Sequence, residues 1–486
     1  MSKVKSVQKS LAKNSFFNVL YRVINMLFPL VTAMYVSHIL LAKGIGKVSA
    51  AQNVVQYFVL LAPLGLTNYG TREIAKIRNN KELTNRLFTE LFIINFCSTL
   101  ICSVAYYSMI ILNDFFYTER SLYLISGLPI LFNFINVEWF YEGNEEYVYI
   151  ALRNIFVKIV SVITIILFVR SANDYLIYAL IYTLGIAGNY IFNIVNLIKR
   201  GIHFDISNLS FLRHLAPIFI LLCSNVAVEL YTLLDTTMLN IMCSNEIVGY
   251  YTNSIKIVKM IVSLIAAIGG VLLPRLSYYR SQRQYAECDR LISSITKVML
   301  FFTIPCGIGI FLVADKLVLL MFGASFLPAV MTVKIGSLII YVLGFSNLFG
   351  TQVLLTYNQE KKLLICTCVG AFSNIIMNSF MIPRYQQNGA IIASVISESI
   401  VTCMTILFAK NYVKINVTVN YWLKVIGAGV GMGAIVLFIT KIVNNSILCV
   451  VLSVVIGSCV YFILNLIFRN ELILKVSTIM KKRMQR

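Results

Sequence analysis

The chain is 486 residues long, 59% of them hydrophobic and only 13% charged, with a mean hydropathy of +0.82. That mixture excludes a soluble globular domain and identifies a polytopic membrane protein. The excess of 41 Lys and Arg over 20 Asp and Glu is explained by the positive-inside rule, so no nucleic-acid partner is expected.

The start carries Lys3, Lys5, Lys9 and Lys13 before a long apolar run. The run is too long for a signal peptide and lacks a small-residue cleavage site, so it is expected to stay as the first span. That span, Asn14 to Tyr35, holds Arg22 near its middle, with Asn14, Asn18, Tyr21 and Asn25 on the same side at helical spacing. An arginine at the centre of a membrane helix costs about 2.5–3.5 kcal/mol, so it must face protein or a wet cavity. Pro29 removes one backbone hydrogen bond and is expected to bend the helix.

About fourteen runs of roughly 20 apolar residues follow one another. They fall near 14–37, 48–68, 87–112, 121–141, 150–169, 175–198, 213–243, 248–273, 295–314, 327–356, 362–382, 388–409, 421–441 and 446–468. Taking alternate sides, roughly 30 of the basic residues share one face. They lie in the N-terminal tail and around Arg72 to Arg86, Arg153, Lys199 to Arg213, Arg275 to Arg290, Lys361, Lys410 to Lys424 and the C-terminal tail. Both termini are therefore expected in the cytoplasm, with the tail from Arg469 on the anionic inner leaflet. No connection is long enough for a separate soluble domain.

The chain also repeats. Gly46 to Arg72 and Gly249 to Arg275 each place a glycine 26 residues before an arginine, and each is followed by a basic loop closing on Arg86 or Arg290. A second echo pairs Tyr141-Glu-Gly-Asn-Glu-Glu146 with Thr356-Tyr-Asn-Gln-Glu-Lys361. The copies start six spans apart, and an even number gives both the same orientation, a parallel duplication. The expected fold is all-α, with two six-helix lobes at 1–200 and 201–411, two further helices at 412–468 and a basic tail at 469–486.

Buried ionisable residues cluster at the start of the second copy. Glu229 and Asp235 lie in the seventh span, and Lys256 and Lys259 lie in the eighth on a face with Asn253. Glu398 sits in the twelfth with Ser394, Thr402 and Thr405 at helical spacing. One reading is a hydrated cavity in which Arg22, Lys256 and Lys259, helped by Asn18, Asn25 and Asn253, hold an anion. Glu229, Asp235 and Glu398 would then be sites for a coupling proton or cation. The other is that these charges form structural pairs or snorkel to a surface. Glu138-Trp139 reads as a solvated helix end. Tyr21 and Tyr57 are placed to stack on sugars. The 11 cysteines form no CxxC pair, and His38, His203 and His214 have no second ligand at metal spacing, so neither metal nor cofactor is expected.

The span count, the six-plus-six duplication and the termini resemble the MOP superfamily of flippases and exporters. The opening is similar to its polysaccharide, Wzx-type branch. The likeness rests on Asn18 and Tyr21-Arg22 before Pro29, on Tyr35-Val-Ser, on Gly44-Ile-Gly46 and above all on Leu64-Gly-Leu-Thr-Asn-Tyr-Gly-Thr-Arg-Glu-Ile-Ala75. Tyr357-Asn-Gln-Glu360 and Asn388-Gly389-Ala390 add to it in the second half. The resemblance implies a transporter rather than an enzyme. Its cargo would be an undecaprenyl-pyrophosphate-linked O-antigen or capsule repeat unit crossing the bacterial cytoplasmic membrane by alternating access. It further implies membrane lipids, a polysaccharide polymerase and a chain-length regulator as partners, with Arg22 and Lys256 or Lys259 meeting the pyrophosphate. A multidrug or small-solute cation-coupled antiporter of the same superfamily is the runner-up, and an integral-membrane polymerase comes after it.

Overall fold

The computed structural model describes residues 2–207, 209–270 and 272–474. Within them the side chains at 2–16, 18, 19, 22, 23, 26, 224, 225, 227, 228, 230, 231, 267–270 and 272–274 lie outside the description. The basic end of the C-terminal tail therefore also lies outside it. All regular elements described are helical. Nine helical stretches among the described residues are long and apolar enough to cross a membrane. Two of them, 27–77 and 360–409, each hold two of the spans read from sequence. The chain is a multi-pass membrane protein. It divides into two compact units, Met1–Thr237 and Met238–Arg486.

In the first unit, α1 (Ser2–Leu61) is one helical run interrupted at Leu41, whose φ of 58° is left-handed. It is followed by the short α2 (Leu66–Ile77) and the long α3 (Lys81–Leu112). The predicted fourth span is not a single helix. It runs as α4 (Arg120–Ser126), α5 (Leu128–Leu131), a 3₁₀ turn (Phe132–Ile135) and α6 (Glu138–Gly143). Pro129 lacks the N–H that continued helix requires. A buried amide network repairs the break: Asn95 Nδ2 donates to the Asn133 carbonyl (2.8 Å), while Asn133 Nδ2 donates to Asn95 Oδ1 (3.0 Å) and Thr99 Oγ1 (2.9 Å). Such repair is what allows irregular backbone at membrane depth. Then come α7 (Tyr147–Phe168), α8 (Tyr175–Lys199) and α9 (Leu212–Met242).

The second unit repeats this order with α10 (Asn245–Gly270), α11 (Leu272–Ser281), α12 (Tyr285–Phe322) and α13 (Val330–Ser346), which continues as a π-helix over Asn347–Leu354. The run α14 (Glu360–Ala409) is broken at Gln386 (φ 50°), where Gly389 is needed because a Cβ would strike the Met381 carbonyl. Two turns identify the duplication in detail. After α3 and after α12 the chain makes a 3₁₀ turn around a buried phenylalanine, with Phe116 N bonded to the Asn113 carbonyl and Phe326 N to that of Gly323, both at 3.2 Å. Before α7 and before α14 a left-handed residue, Glu145 or Asn358, closes the preceding helix. There Glu146 N reaches the Tyr141 carbonyl and Gln359 N that of Leu354, both at 2.9 Å, as a helix-closing motif requires. The echo seen in sequence is this turn built twice, in a register shifted by two residues. The last helices, α15 (Val419–Ile442) and α16 (Ser446–Ile467), have no counterpart in the first unit and pack on each other and on α12.

Most of the Leu64-to-Ala75 motif forms the short helix α2, which a turn at 62–65 sets off from α1. It buries Leu66, Tyr69 and Ile74. Gly70 brings its backbone against the Trp139 ring, where a Cβ would lie 2.8 Å from the indole carbons. Gly65 lets α9 pass, because a Cβ there would strike the Ile218 carbonyl and lie 2.7 Å from Leu221 Cβ. Forced overpacking of this kind costs about 1–3 kcal/mol. Gly65→Ala is therefore expected to lower the unfolding temperature of the detergent-solubilised protein. Gly309→Ala, where nothing lies within 4 Å of the added methyl, is expected to leave it unchanged or raise it.

Candidate functional site

Helix α7 is polar along one side and apolar along the other. Leu152, Phe156, Ile159 and Ile163 are exposed on its outer side, suited to lipid. Arg153, Asn154, Lys158 and Ser161 follow each other at helical spacing on the inner side. With α1 and α8 they enclose a cavity of about 370 Å³ in the first unit, also lined by Tyr21, Asn25, Phe28, Glu138, Tyr182, Asn189 and Tyr190.

Its two cations have different surroundings. Arg153, whose side chain is only 4% exposed, is fully engaged. Its Nη2 donates to Glu138 Oε2 (3.2 Å), its Nε to Asn189 Oδ1 (3.0 Å) and its Nη1 to Asn193 Oδ1. Glu138 in turn accepts from the Tyr21 hydroxyl (2.9 Å). A buried guanidinium thus meets a half-buried carboxylate, each of whose oxygens accepts a hydrogen bond, and such added bonds are what lets an ion pair persist in low dielectric. Lys158 has no carboxylate within ion-pair distance among the described residues. Its Nζ donates to Asn25 Oδ1 (2.5 Å) and the Ile24 carbonyl (3.4 Å) and lies 4.8 Å from the centre of the Phe28 ring. Asn25 Oδ1 also accepts from Asn154 Nδ2 (3.0 Å). Two cations face one carboxylate, so the described lining carries one surplus positive charge.

Of the residues singled out from sequence as candidates for cargo contact, Tyr21 and Asn25 are the ones with described side chains that line this cavity. Asn18 and Arg22 share the same helix, but their side chains lie outside the described residues. In the second unit Lys256 Nζ donates to Asn253 Oδ1 (3.0 Å) on α10, and Lys259 one turn on is exposed. Glu229 is exposed on α9 and accepts from Thr232 Oγ1 (3.3 Å), Asp235 is buried on the same helix, and Glu398 is half-buried on α14. None of these three lines the cavity. Tyr57 is already paired, its hydroxyl 2.6 Å from Thr237 Oγ1.

Sequence reasoning missed Lys158 and Asn154, although their i, i+4 spacing inside an apolar run is the same signal that singled out Asn18, Arg22 and Asn25. It also placed Arg153 in a basic connection and Glu138 at a solvated helix end. Both are corrected here, because the fourth span breaks early and α6 turns Glu138 inward to meet Arg153. His214 is buried too. Its Nε2 lies 2.8 Å from Glu90 Oε2 and its Nδ1 2.7 Å from the Tyr69 hydroxyl, while Glu90 also accepts from Arg213 (2.5 Å) and from the Ser210 backbone N–H (2.7 Å). This cluster ties the 200–212 connection to α3.

Residues 11–280, more than half of the chain, match the model of a family described as polysaccharide biosynthesis protein. The chain belongs to that family. A putative O-antigen transporter of Escherichia coli (strain K12) is 22% identical over 413 residues, which cover 83% of this chain and 97% of the relative. A probable low-salt glycan biosynthesis flippase, Agl15 of Haloferax volcanii, is 23% identical over 258 residues, 51% of this chain and 52% of that protein. Among solved structures, the inward closed lipid II flippase MurJ superposes with a TM-score of 0.75 at 18% identity, over 94% of this chain and 99% of MurJ. An inward-facing multidrug resistance MATE transporter of the MOP superfamily superposes with 0.62 at 16% identity, over 79% of this chain and 93% of its own. This member of the polysaccharide biosynthesis family therefore has the MOP fold, as its residue pattern implied.

Removing Arg153 leaves the half-buried Glu138 without its counter-charge and opens a gap among Asn189 and Asn193, which is destabilising. Lys158 leaves no carboxylate behind. In thermal unfolding of the purified protein, Arg153→Ala is expected to be strongly destabilised and Lys158→Ala close to wild type.

Proposed function

We propose that this protein is a flippase for a lipid-linked glycan. It moves an undecaprenyl-pyrophosphate-linked repeat unit from the inner to the outer leaflet of the bacterial cytoplasmic membrane, with both termini in the cytoplasm. Membership of a polysaccharide biosynthesis family supports the glycan. The observation that carries the reading is Lys158, a lysine inside a membrane-spanning helix that no carboxylate among the described residues neutralises and whose ammonium faces a polar cavity. An isolated buried charge is costly to keep, and an anionic cargo supplies what the protein withholds. The surplus positive lining favours such a cargo over a cationic drug.

Carrying a pyrophosphate and its sugars through hydrocarbon would strip water from several charges and many hydroxyls, at a prohibitive cost. A wet, amide-rich cavity replaces that water while the polyprenyl tail stays in lipid. Arg22, Asn18 and Asn25 on α1, and Lys256, Lys259 and Asn253 on α10, extend the anion path in this reading. Rocking of the two repeats exposes the path to each side in turn. With the cell interior negative, each negative charge carried outward releases about 2.3 kcal/mol per 100 mV. Glu229, Asp235 and Glu398 are the candidates for any coupling ion. A polymerase and a chain-length regulator would receive the delivered unit.

Deleting the gene in its host is expected to accumulate lipid-linked repeat units on the inner leaflet. Wild type restores delivery, Lys158→Arg retains most of it, and Lys158→Ala loses at least tenfold at equal protein level. Normal outward delivery in the deletion strain contradicts the reading.

A further inference from the structure

The helix-closing turn before α7 and before α14 is built twice with the same backbone and a different charge. It reads Glu145-Glu146 in the first unit and Asn358-Gln359 in the second, the left-handed residue coming first in each. In the first unit both acids hold arginines: Arg78 Nη1 lies 3.0 Å from Glu145 Oε1, and Arg200 Nη1 meets Glu146 Oε1. The two amides of the second unit can neutralise nothing.

Beside those amides lies an open notch of about 570 Å³ between the end of α11 and the turn that precedes α14. Ser277, Arg280, Ser281, Arg283, Tyr285 and Asn358 line it, and no carboxylate is among the lining residues. Arg280 Nη1 donates to the Thr356 carbonyl, and its guanidinium lies 4.9 Å from the centre of the Tyr357 ring. Those contacts fix the side chain but leave its charge in place. Neither Arg280 nor Arg283 has a carboxylate within ion-pair distance among the described residues. The acids that open α12 are engaged elsewhere, Glu287 with Arg290 (2.6 Å) and Asp289 with the Lys414 backbone N–H (2.8 Å), and Glu360 lies outside the lining. Two guanidinium forks, three hydroxyls and an amide therefore face one space, a set of donors that fits a phosphate.

The surroundings favour a phosphate that carries acyl chains. Tyr278 and Tyr285 are exposed, as tyrosines at headgroup level are. Leu364, Ile365, Val369 and Phe372 are exposed along α14, and at 1.5 Å per residue that apolar stripe begins about 6 Å from the helix start. We propose that this notch is a binding site for the phosphate of an anionic phospholipid, with the acyl chains along the outer side of α14. The site belongs to the second unit alone, because Glu145 and Glu146 occupy the same turn in the first. It is separate from the first-unit cavity and does not depend on the identity of the cargo.

The test uses the full chain in detergent, with binding of the first lipid read by native mass spectrometry, and three probes: phosphatidylglycerol, phosphatidylcholine and glycerol 1-phosphate. Wild type is expected to bind phosphatidylglycerol at least fivefold more tightly than phosphatidylcholine. Arg283→Gly removes a cation at a left-handed position that glycine adopts freely. Asn358→Glu installs the acid that the first unit already holds in that backbone conformation. Each should bring the ratio to about one at an unchanged unfolding temperature. Arg469→Gly removes another left-handed arginine, one outside the notch, and should leave the ratio as it is. Equal binding of the two lipids by wild type, a preference that survives both Arg283→Gly and Asn358→Glu, or an equal loss in Arg469→Gly overturns the site. Glycerol 1-phosphate bound as tightly as phosphatidylglycerol keeps the phosphate site and overturns a lipid as its occupant.

Discussion

Hydrocarbon offers a charge or an amide no partner, and the architecture of the first unit follows from that constraint. Arg153 and Glu138 persist at depth because they meet each other and two asparagines. Lys158 persists because it meets Asn25 and the Ile24 carbonyl of α1. These bonds also hold the elements together. Tyr21 and Asn25 of α1 are tied to α6 and α7 on the cavity side, close to Pro29, where the helix has lost a donor of its own. Thr32 Oγ1 donates to the carbonyl of Phe28 at 2.9 Å there. The polar stripe is thus both the reason the helices pack where they do and the lining they present.

Duplication explains the fold but not the chemistry. The left-handed turn at Glu145 and Asn358 sets the register of α7 against α14. In that register Arg153, Asn154 and Lys158 fall opposite Cys366, Thr367 and Ala371. The same helix position that carries two cations and an amide in one unit carries no charge in the other. Shared turns and helix order preserve a scaffold, while the Glu138, Arg153 and Lys158 cluster belongs to one copy, as expected when sites are grafted onto a common fold.

Much of this was legible in the sequence. Spans, the all-helical class and the parallel duplication come from run length, even spacing and loop charge, which are local and additive signals. The family likeness carried by Tyr21-Arg22 and by Leu64 to Ala75 pointed to the right family and fold. The site was only half legible. Asn25 stood out on its own helix, but its partners Asn154 and Lys158 are 129 and 133 residues away, and the Tyr21–Glu138 bond spans 117. Charge counting drew Arg153 onto the basic face because the fifth span read from sequence starts near 150, which leaves Arg153 at its basic end. Only the early break of the fourth span, which no hydropathy run reveals, turns Glu138 inward to claim it.

The central claim is that an unneutralised lysine in the first unit receives the anionic end of a lipid-linked glycan. The most direct measurement is transfer between leaflets in proteoliposomes holding the purified chain and a fluorescent undecaprenyl-pyrophosphate-linked oligosaccharide, read by quenching from outside. Wild-type protein should move the lipid across, Lys158→Arg should do so more slowly, and Lys158→Ala and Lys158→Glu should not exceed protein-free vesicles. Transfer by Lys158→Glu at the wild-type rate would contradict the account.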